Sequence, residues 1–211
     1  MKEYKEIDIE KFERADYFQY FTSVGNVIEF TVKIDVTKAI QKCKDEDISF
    51  QSYLLFQIYN TINTFENFKY DFLDSSLVQW KEIVPTFSAF NQNSKKFFTL
   101  YADMKEDYIT FDKQYKSIVR EYEESDTIVP QGNLPPNIFN VSSIPWMHFE
   151  HFSSNSKAQE NQIIKMLTLG KYEKLDEIFK MPITFQVSHA IADGYHVSMF
   201  FSELQKKLNL Y

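Results

Sequence analysis

The sequence has little cysteine, glycine or proline. Cys43 is the only cysteine among 211 residues, so no disulfide can form within the chain. The surrounding stretch, KAIQKCKDED, is polar and has no metal-ligand spacing. We therefore expect Cys43 to be a structural thiol, solvent-facing or half-buried, and not a nucleophile. Four glycines and six prolines are too few for a linker-rich or disordered protein.

Basic blocks and long apolar runs are missing as well. The formal net charge is -7, and no stripe of lysine and arginine crosses the sequence, which argues against a nucleic-acid partner. No apolar run reaches the length of a transmembrane helix. The N-terminal stretch MKEYKEIDIEKFER is charged and has no apolar signal region. We therefore predict a cytoplasmic protein without a membrane partner.

Apolar and aromatic residues are abundant instead. Hydrophobic residues make up 44% of the chain, with 21 phenylalanines and 13 tyrosines, which is enough to form one sizeable core. No repeat or obvious linker divides the sequence. We expect a single domain over residues 1–211.

Hydrophobic periodicity predicts interleaved helices and strands, and hence an α/β fold with helices covering a sheet. Helices are expected over residues 10–21, 38–43, 48–65, 106–123 and 195–207, with Thr37 capping the second. Strands are expected over residues 26–36, 78–90, 96–102, 138–143, 146–152, 162–169 and 181–189.

The stretch VSHAIADGYHV places His189 at the end of an apolar strand, four residues before Asp193. A strand end followed by a turn can present a side chain into a cleft, so His189 is a candidate catalytic residue. Asp193 could orient the imidazole or fix the turn. Taken alone, the pattern also suits an ordinary histidine at the end of a buried strand.

The other histidines point to structural roles. His148 and His151 could be metal ligands, but on a strand these positions face opposite sides of the sheet. We therefore favour surface or sheet-face histidines and predict no metal site. His196 opens the last helix and is expected to be structural.

Four motifs in order resemble the chloramphenicol acetyltransferase family. SHAIADGYHV resembles the segment of its catalytic histidine, with His189 at that position and Ser188 in place of a preceding histidine. Arg14 in FERADYF matches the arginine that pairs with the motif aspartate. The loop VPQGNLPPN followed by NVSSIPW places Ser142 at the functional serine. LTLGKY supplies Thr168, Lys171 and Tyr172.

The resemblance implies a fold and a set of roles. The fold would be a two-layer sandwich in which a mixed, largely antiparallel sheet packs against helices. His189 would be the general base, Ser142 would stabilise the tetrahedral intermediate, and Thr168 would hold a water or hydroxyl nearby. Asp193 would form a buried ion pair with Arg14 and so fix the loop that carries His189.

The resemblance also implies substrates and partners. Acetyl-CoA would be the cosubstrate, with no tightly bound cofactor, and chloramphenicol the acceptor, giving antibiotic resistance. Lys171 and Tyr172 would lie on the coenzyme side, although both also suit a solvated turn. Members of the family are homotrimers with active sites between subunits. The candidate acceptor-pocket residues, each of which could equally be core, are Tyr20, Phe21, Phe97, Val129 and Phe152.

Three other functions stay open at this point. The chain could acetylate a different small hydroxylated acceptor. It could be the catalytic core of a dihydrolipoyl acyltransferase, although lipoyl and subunit-binding segments are missing from the sequence. It could also be a non-catalytic binding protein that retains the fold.

Overall fold

Helices and strands alternate along the chain. The computed structural model describes residues 3–154, 158 and 161–210. The α-helices of this part are α1 (Ala15–Val24), α2 (Thr37–Asp45), α3 (Phe50–Ile62), α4 (Tyr108–Tyr122) and α5 (Gly194–Leu208). The strands are β1 (Tyr4–Glu6), β2 (Val27–Asp35), β3 (Tyr70–Leu73), β4 (Ser76–Trp80), β5 (Val84–Phe90), β6 (Phe97–Tyr101), β7 (Ile138–Ile144), β8 (Lys165–Gly170), β9 (Glu173–Leu175) and β10 (Ile178–Ser188).

The strands of the described residues form a large and a small sheet. The large sheet has the order β2-β10-β8-β7-β5-β6, with β9 also paired to β10, and the small sheet has the order β1-β4-β3. β7 runs parallel to β5 and to β8, whereas the other neighbours are antiparallel. The predicted mixed, largely antiparallel sheet is therefore confirmed.

Helix α3 lies at the centre of the helical layer. Its residues Leu54, Ile58 and Ile62 are fully buried, as their helical spacing predicts. The helix contacts α2, α4 and α5. Phe200 of α5 packs on Phe185 of β10, with ring centroids 5.0 Å apart, so the helices cover one face of the large sheet.

Three local expectations were wrong. Residues 78–90 form two strands: β4 pairs within the small sheet and β5 within the large one. Residues 146–152 form no strand. Thr37 begins α2 and does not cap it, because its hydroxyl donates to Asp35 and accepts from the Phe179 amide.

Cys43 is more deeply placed than expected. It lies on the inner face of α2 and is buried. Burial, and then the carboxylates of Glu46 and Asp112, raise the pKa of its thiol to about 11. The thiol is therefore protonated at neutral pH, which agrees with a structural role.

Within residues 3–154, 158 and 161–210, no α-helix is both long enough and apolar enough to span a membrane.

Candidate active site

His189 follows β10 and is held by the loop that it begins. Its amide donates to the Asn26 carbonyl, and its Nδ1 lies 2.9 Å from the Ala192 carbonyl oxygen. A carbonyl oxygen can only accept a hydrogen bond, so Nδ1 carries the proton. Nε2 therefore has the free lone pair that a general base needs.

Phe21 of α1 fixes the plane of the His189 ring. The two rings stack with centroids 3.8 Å apart and an interplanar angle of 16°. The sequence suggested Phe21 as an acceptor-pocket residue, and the structure places it directly against the candidate base. Tyr20 is exposed beside it, in edge contact with Phe21.

Asp193 joins the His189 loop to α5 and to the N-terminal segment. Its carboxylate caps α5 by accepting from the Tyr195 amide at 3.0 Å, and it lies 3.0 Å from Nδ1 of His196. Arg14 Nη1 donates to the second carboxylate oxygen at 3.3 Å. The Arg14 side chain is 14% exposed and that of Asp193 is 36% exposed, so in a single chain the pair is only partly buried.

The surroundings of Asp193 favour its charged form. Burial alone would raise the pKa of this carboxyl, but the nearby His196, the Tyr195 amide and Arg14 outweigh burial and lower the pKa. His196 Nδ1 lies 3.0 Å from the Asp193 carboxylate and 3.3 Å from the Asp193 amide nitrogen at the start of α5, a structural position of the kind expected from the sequence.

Ser188 also has a structural partner. Its hydroxyl accepts from the Ile164 amide at 2.8 Å, while its own amide donates to the Ile164 carbonyl at 2.9 Å. The residue that replaces the first motif histidine therefore ties the end of β10 to the segment before β8.

A row of hydroxyls crosses the face of the large sheet opposite the helices. Ser142 of β7 is in register with Thr168 of β8, Thr168 with Thr184 of β10, and Thr184 with Thr31 of β2. Thr184 and Thr31 share a hydrogen bond of 2.7 Å. Thr168 Oγ1 is buried and has no hydrogen-bond partner among the described residues. Next to Ser142, this hydroxyl is available for a water or a reacting group.

Ser142 and His189 lie far apart within one chain. Ser142 is two strands from Thr184, which corresponds to about 10 Å across the sheet. His189 lies five residues beyond Thr184, about 16 Å along β10. The separation is therefore about 19 Å, too far for both side chains to act on one substrate in the same chain.

A groove of about 880 Å³ opens beside Ser142. Its aromatic wall contains Phe90, Phe97 and Trp146, with Phe90 and Trp146 in edge contact at 4.8 Å. Phe97 was expected to contact an acceptor, and the structure brings it together with Ser142. The sequence does not suggest Phe90, because it is the pairing of β5 with the distant strand β7 that brings this residue to the groove.

Val129 directly follows Ile128, which lines the groove, and its carbonyl accepts from the Gly132 amide in a turn. Phe152 packs against Phe149 with centroids 5.9 Å apart. The candidate acceptor residues therefore fall into separate groups within one chain: Phe97 at the groove with Val129 at its edge, Tyr20 and Phe21 beside His189, and Phe152 against Phe149.

Lys171 and Tyr172 follow β8 at the groove end of the sheet. Gly170, immediately before them, is in register with Ile144, two residues after Ser142. Tyr172 is partly exposed and makes edge contacts with Phe50 and Phe179. An ammonium and an aromatic face thus stand near the Ser142 end of the sheet, where a phosphate-bearing coenzyme could bind.

His148 and His151 lie in the irregular segment after Trp146. His148 Nδ1 is 3.0 Å from the Lys171 carbonyl oxygen, and His151 is exposed near Glu29. Among the described residues, no cluster of three or more histidine, cysteine or acidic side chains could hold a metal ion.

Known proteins resemble this chain over nearly its whole length. The family model described as chloramphenicol acetyltransferase matches residues 2–205. A chloramphenicol acetyltransferase of Clostridium perfringens is 32% identical over 208 residues, which cover 98% of this chain and 99% of the relative. Chloramphenicol acetyltransferase 2 of Haemophilus influenzae is 28% identical, with 94% of each chain covered.

Solved structures share the fold. A chloramphenicol acetyltransferase superposes with a TM-score of 0.88 at 22% identity, covering 98% of this chain and 100% of the other. The dihydrolipoamide acetyltransferase of Azotobacter vinelandii superposes with a TM-score of 0.67 at 13% identity, covering 92% and 86%. Because the family model spans nearly the whole sequence, the chain belongs to the chloramphenicol acetyltransferase family.

Proposed function

We propose that this chain transfers the acetyl group of acetyl-CoA to a hydroxyl of chloramphenicol and thereby confers resistance to the antibiotic. The family and the names of its full-length relatives support this reaction. The observation that carries the mechanism is the contact between His189 Nδ1 and the Ala192 carbonyl, which leaves Nε2 as a base.

The reaction begins with proton transfer to His189. Nε2 takes the proton from the acceptor hydroxyl as its oxygen attacks the thioester carbonyl of acetyl-CoA. Stacking against Phe21 and the bond to Ala192 hold the imidazole in one orientation, so no rotation is needed before the transfer.

Ser142 then stabilises the tetrahedral intermediate. Its hydroxyl donates a hydrogen bond to the oxyanion that forms from the thioester carbonyl, and Thr168 holds a water or hydroxyl beside it. When the intermediate collapses, the carbon–sulfur bond breaks and the imidazolium of His189 returns the proton to the departing thiolate. The products are the acetyl ester and free CoA. Lys171 and Tyr172 contact the coenzyme.

The active site forms between copies of the chain. His189 and Ser142 lie about 19 Å apart in one chain, so the base of one copy must meet the serine of another. Exposed apolar side chains occur near both residues. Near His189 they are Tyr17, Tyr20, Val24, Phe30, Tyr195 and Met199, and near Ser142 they are Phe97, Ile128, Trp146 and Met147.

Burying one of these patches against the other brings the two halves of the site together. The contact is head-to-tail, because two different surfaces meet, and such contacts form a ring when the rotation between copies closes. The family resemblance implies three copies, so we propose a homotrimer with three shared sites.

Release of free thiol tests the reaction. Purified protein is mixed with acetyl-CoA and chloramphenicol, and the thiol of CoA is followed over time. We expect His189→Asn to lower kcat at least about 100-fold, the lower limit for loss of a general base. The asparagine amide can still donate to the Ala192 carbonyl, so the loop keeps its bond while the base is lost.

His151→Ala is the matched control, because His151 is an exposed histidine beside Glu29. It should retain wild-type turnover. Equal rates for wild type and His189→Asn would contradict the mechanism. Thiol release with another hydroxylated compound but not with chloramphenicol would keep the enzyme class and replace the acceptor. No release with any acceptor would favour a binding protein.

A further inference from the structure

The segment after Trp146 folds back onto the end of β8. The Lys171 amide donates to the Met147 carbonyl at 2.8 Å. The Phe149 ring covers Gly170 so closely that an added Cβ would lie 2.7 Å from its Cε1 atom. Residues 147–149 therefore pack directly on Gly170 and Lys171.

The His148 side chain makes the second hydrogen bond to the backbone of Lys171. Its Nδ1 lies 3.0 Å from the Lys171 carbonyl oxygen, so Nδ1 is the protonated ring nitrogen and donates to that oxygen. The side chain is only 10% exposed. Lys171 thus has both its amide and its carbonyl held by consecutive residues, Met147 and His148.

Charged groups surround the ring without replacing this bond. Glu173 Oε2 lies 3.6 Å from Nδ1, and Glu150 Oε1 lies 3.9 Å from Nε2. Glu150 is itself paired with Lys33 at 2.6 Å. These distances exceed those of hydrogen bonds, so the Lys171 carbonyl is the partner that fixes the ring.

We propose that His148 is a positioning residue for the coenzyme: its Nδ1–H holds the Lys171–Tyr172 peptide so that the ammonium and the phenol ring are ordered before acetyl-CoA binds. This inference rests on the proposed function. Without the bond, the peptide between Lys171 and Tyr172 loses its anchored oxygen, and ordering it becomes part of coenzyme binding. His148 takes no part in proton transfer, because His189 and Ser142 carry the chemistry.

Replacing His148 by asparagine or by glutamine tests whether a donor at the position of Nδ1 is what matters. Asparagine places an amide nitrogen close to the position of Nδ1, whereas glutamine places it near that of Nε2. His148→Asn should therefore keep the bond to the Lys171 carbonyl, and His148→Gln should lose it. His148→Ala removes the donor altogether, and His151→Ala serves as the matched control.

Steady-state kinetics with varied acetyl-CoA and varied chloramphenicol test the proposal. We expect His148→Ala and His148→Gln to raise the KM for acetyl-CoA roughly 2- to 10-fold, the range for one hydrogen bond. The KM for chloramphenicol and kcat should stay unchanged. His148→Asn and His151→Ala should behave as wild type. Calorimetric titration with CoA should give the same ranking of dissociation constants.

Different results would overturn different claims. If wild type turns over and His148→Gln keeps its KM for acetyl-CoA, or if His148→Asn is impaired as much as His148→Gln, the positioning role is wrong. A general loss of kcat in His148→Gln would also overturn it. If wild type releases no thiol from acetyl-CoA, the proposed function fails, and the inference fails with it. The Asn and Gln variants carry the test even if His148→Ala does not fold.

Discussion

Asp193 connects three parts of the site through one carboxylate. It caps α5, contacts His196 and pairs with Arg14. The Nε and Nη2 atoms of Arg14 are buried and have no hydrogen-bond partner among the described residues. Because Asp193 is partly exposed, its ion pair should contribute less than a fully buried one. We expect Asp193→Asn to lower the free energy of unfolding by about 1–3 kcal/mol, between the values for exposed and buried pairs.

Asparagine is also a good N-cap, so Asp193→Asn removes the charge and keeps the cap. Asp193→Ala removes both and should lose about 1 kcal/mol more. Urea unfolding of the three proteins at pH 7 measures these differences, and thiol release shows whether disorder of the loop lowers activity. Equal stability of wild type and both variants would contradict the anchoring role.

The contribution of Asp193 to the free energy of unfolding should depend on pH. The pKa of this carboxyl lies below its ordinary value of 3.8 in the folded chain. Its contribution is therefore complete above about pH 4 and is lost as the pH falls through the lowered value. Unfolding midpoints of wild type and Asp193→Asn, measured from pH 7 down to pH 3, should converge only below pH 4. A constant difference over that range would show that the charge is not responsible.

Cys43 should not disturb a thiol assay. Its thiol is buried and its pKa is raised to about 11, so little thiolate is present and reagents cannot reach it. We expect a disulfide reagent at pH 8 to leave the native protein unlabelled and to label one thiol per chain after denaturation. Rapid labelling of the native protein would show that α2 opens locally.

At the scale of elements, the end of β8 depends on the absence of a side chain at Gly170. An added Cβ would lie 2.6 Å from Pro182 Cγ and 2.7 Å from the Phe149 ring. We expect Gly170→Ala to lower the free energy of unfolding by about 1–3 kcal/mol through overpacking. It should also raise the KM for acetyl-CoA, because Lys171 follows directly.

Gly194 provides a matched glycine control for stability. A Cβ there would meet Phe30 Cζ at 3.5 Å, an ordinary contact at the start of α5. Gly194→Ala should therefore unfold at nearly the same denaturant concentration as wild type. If both alanine variants were equally destabilised, the close contact at Gly170 would not be the cause.

The elements that could be predicted from the sequence are those with a clear hydrophobic pattern within the element itself. Helix α3 repeats buried residues at helical spacing, and β10 is an apolar run ending at Ser188. The break between β4 and β5 has no such signal in the local sequence. It exists because β4 pairs with β1 and β3 in the small sheet, while β5 pairs with β6 and β7 in the large one. The pairings of β4 with β1 and of β5 with β7 join distant parts of the sequence.

The sequence predicts a strand over the irregular segment 146–152, which is rich in aromatic residues. In the structure these side chains make other contacts. Phe149 is buried against Gly170, and His148 donates a hydrogen bond to the Lys171 carbonyl. The end of β8 and the turn after it thus supply the contacts of these side chains, and strand pairing is not needed.

At the scale of the whole molecule, the resemblance of the motifs implies a chemistry for the site but not how the site is assembled. The resemblance assigns a base, an oxyanion donor and a coenzyme segment. It cannot give the distance between them in one chain, because that distance depends on strand order and register. The order β10-β8-β7, with Ser142 and Thr168 in register, separates Ser142 from His189. The proposal that copies of the chain share the site rests on this separation.

Mixing inactive chains tests whether the site is shared. His189→Asn chains have no base but an intact Ser142, and Ser142→Ala chains have the base but lack the oxyanion donor, a loss of about 100-fold or more. In a ring of head-to-tail contacts, random mixing of equal amounts gives about one quarter of the sites an intact His189 facing an intact Ser142. Co-expressed chains carrying different tags should therefore recover about one quarter of wild-type turnover. Each variant alone, or the two proteins mixed without subunit exchange, should stay inactive, whereas a site within one chain would give no recovery after co-expression either.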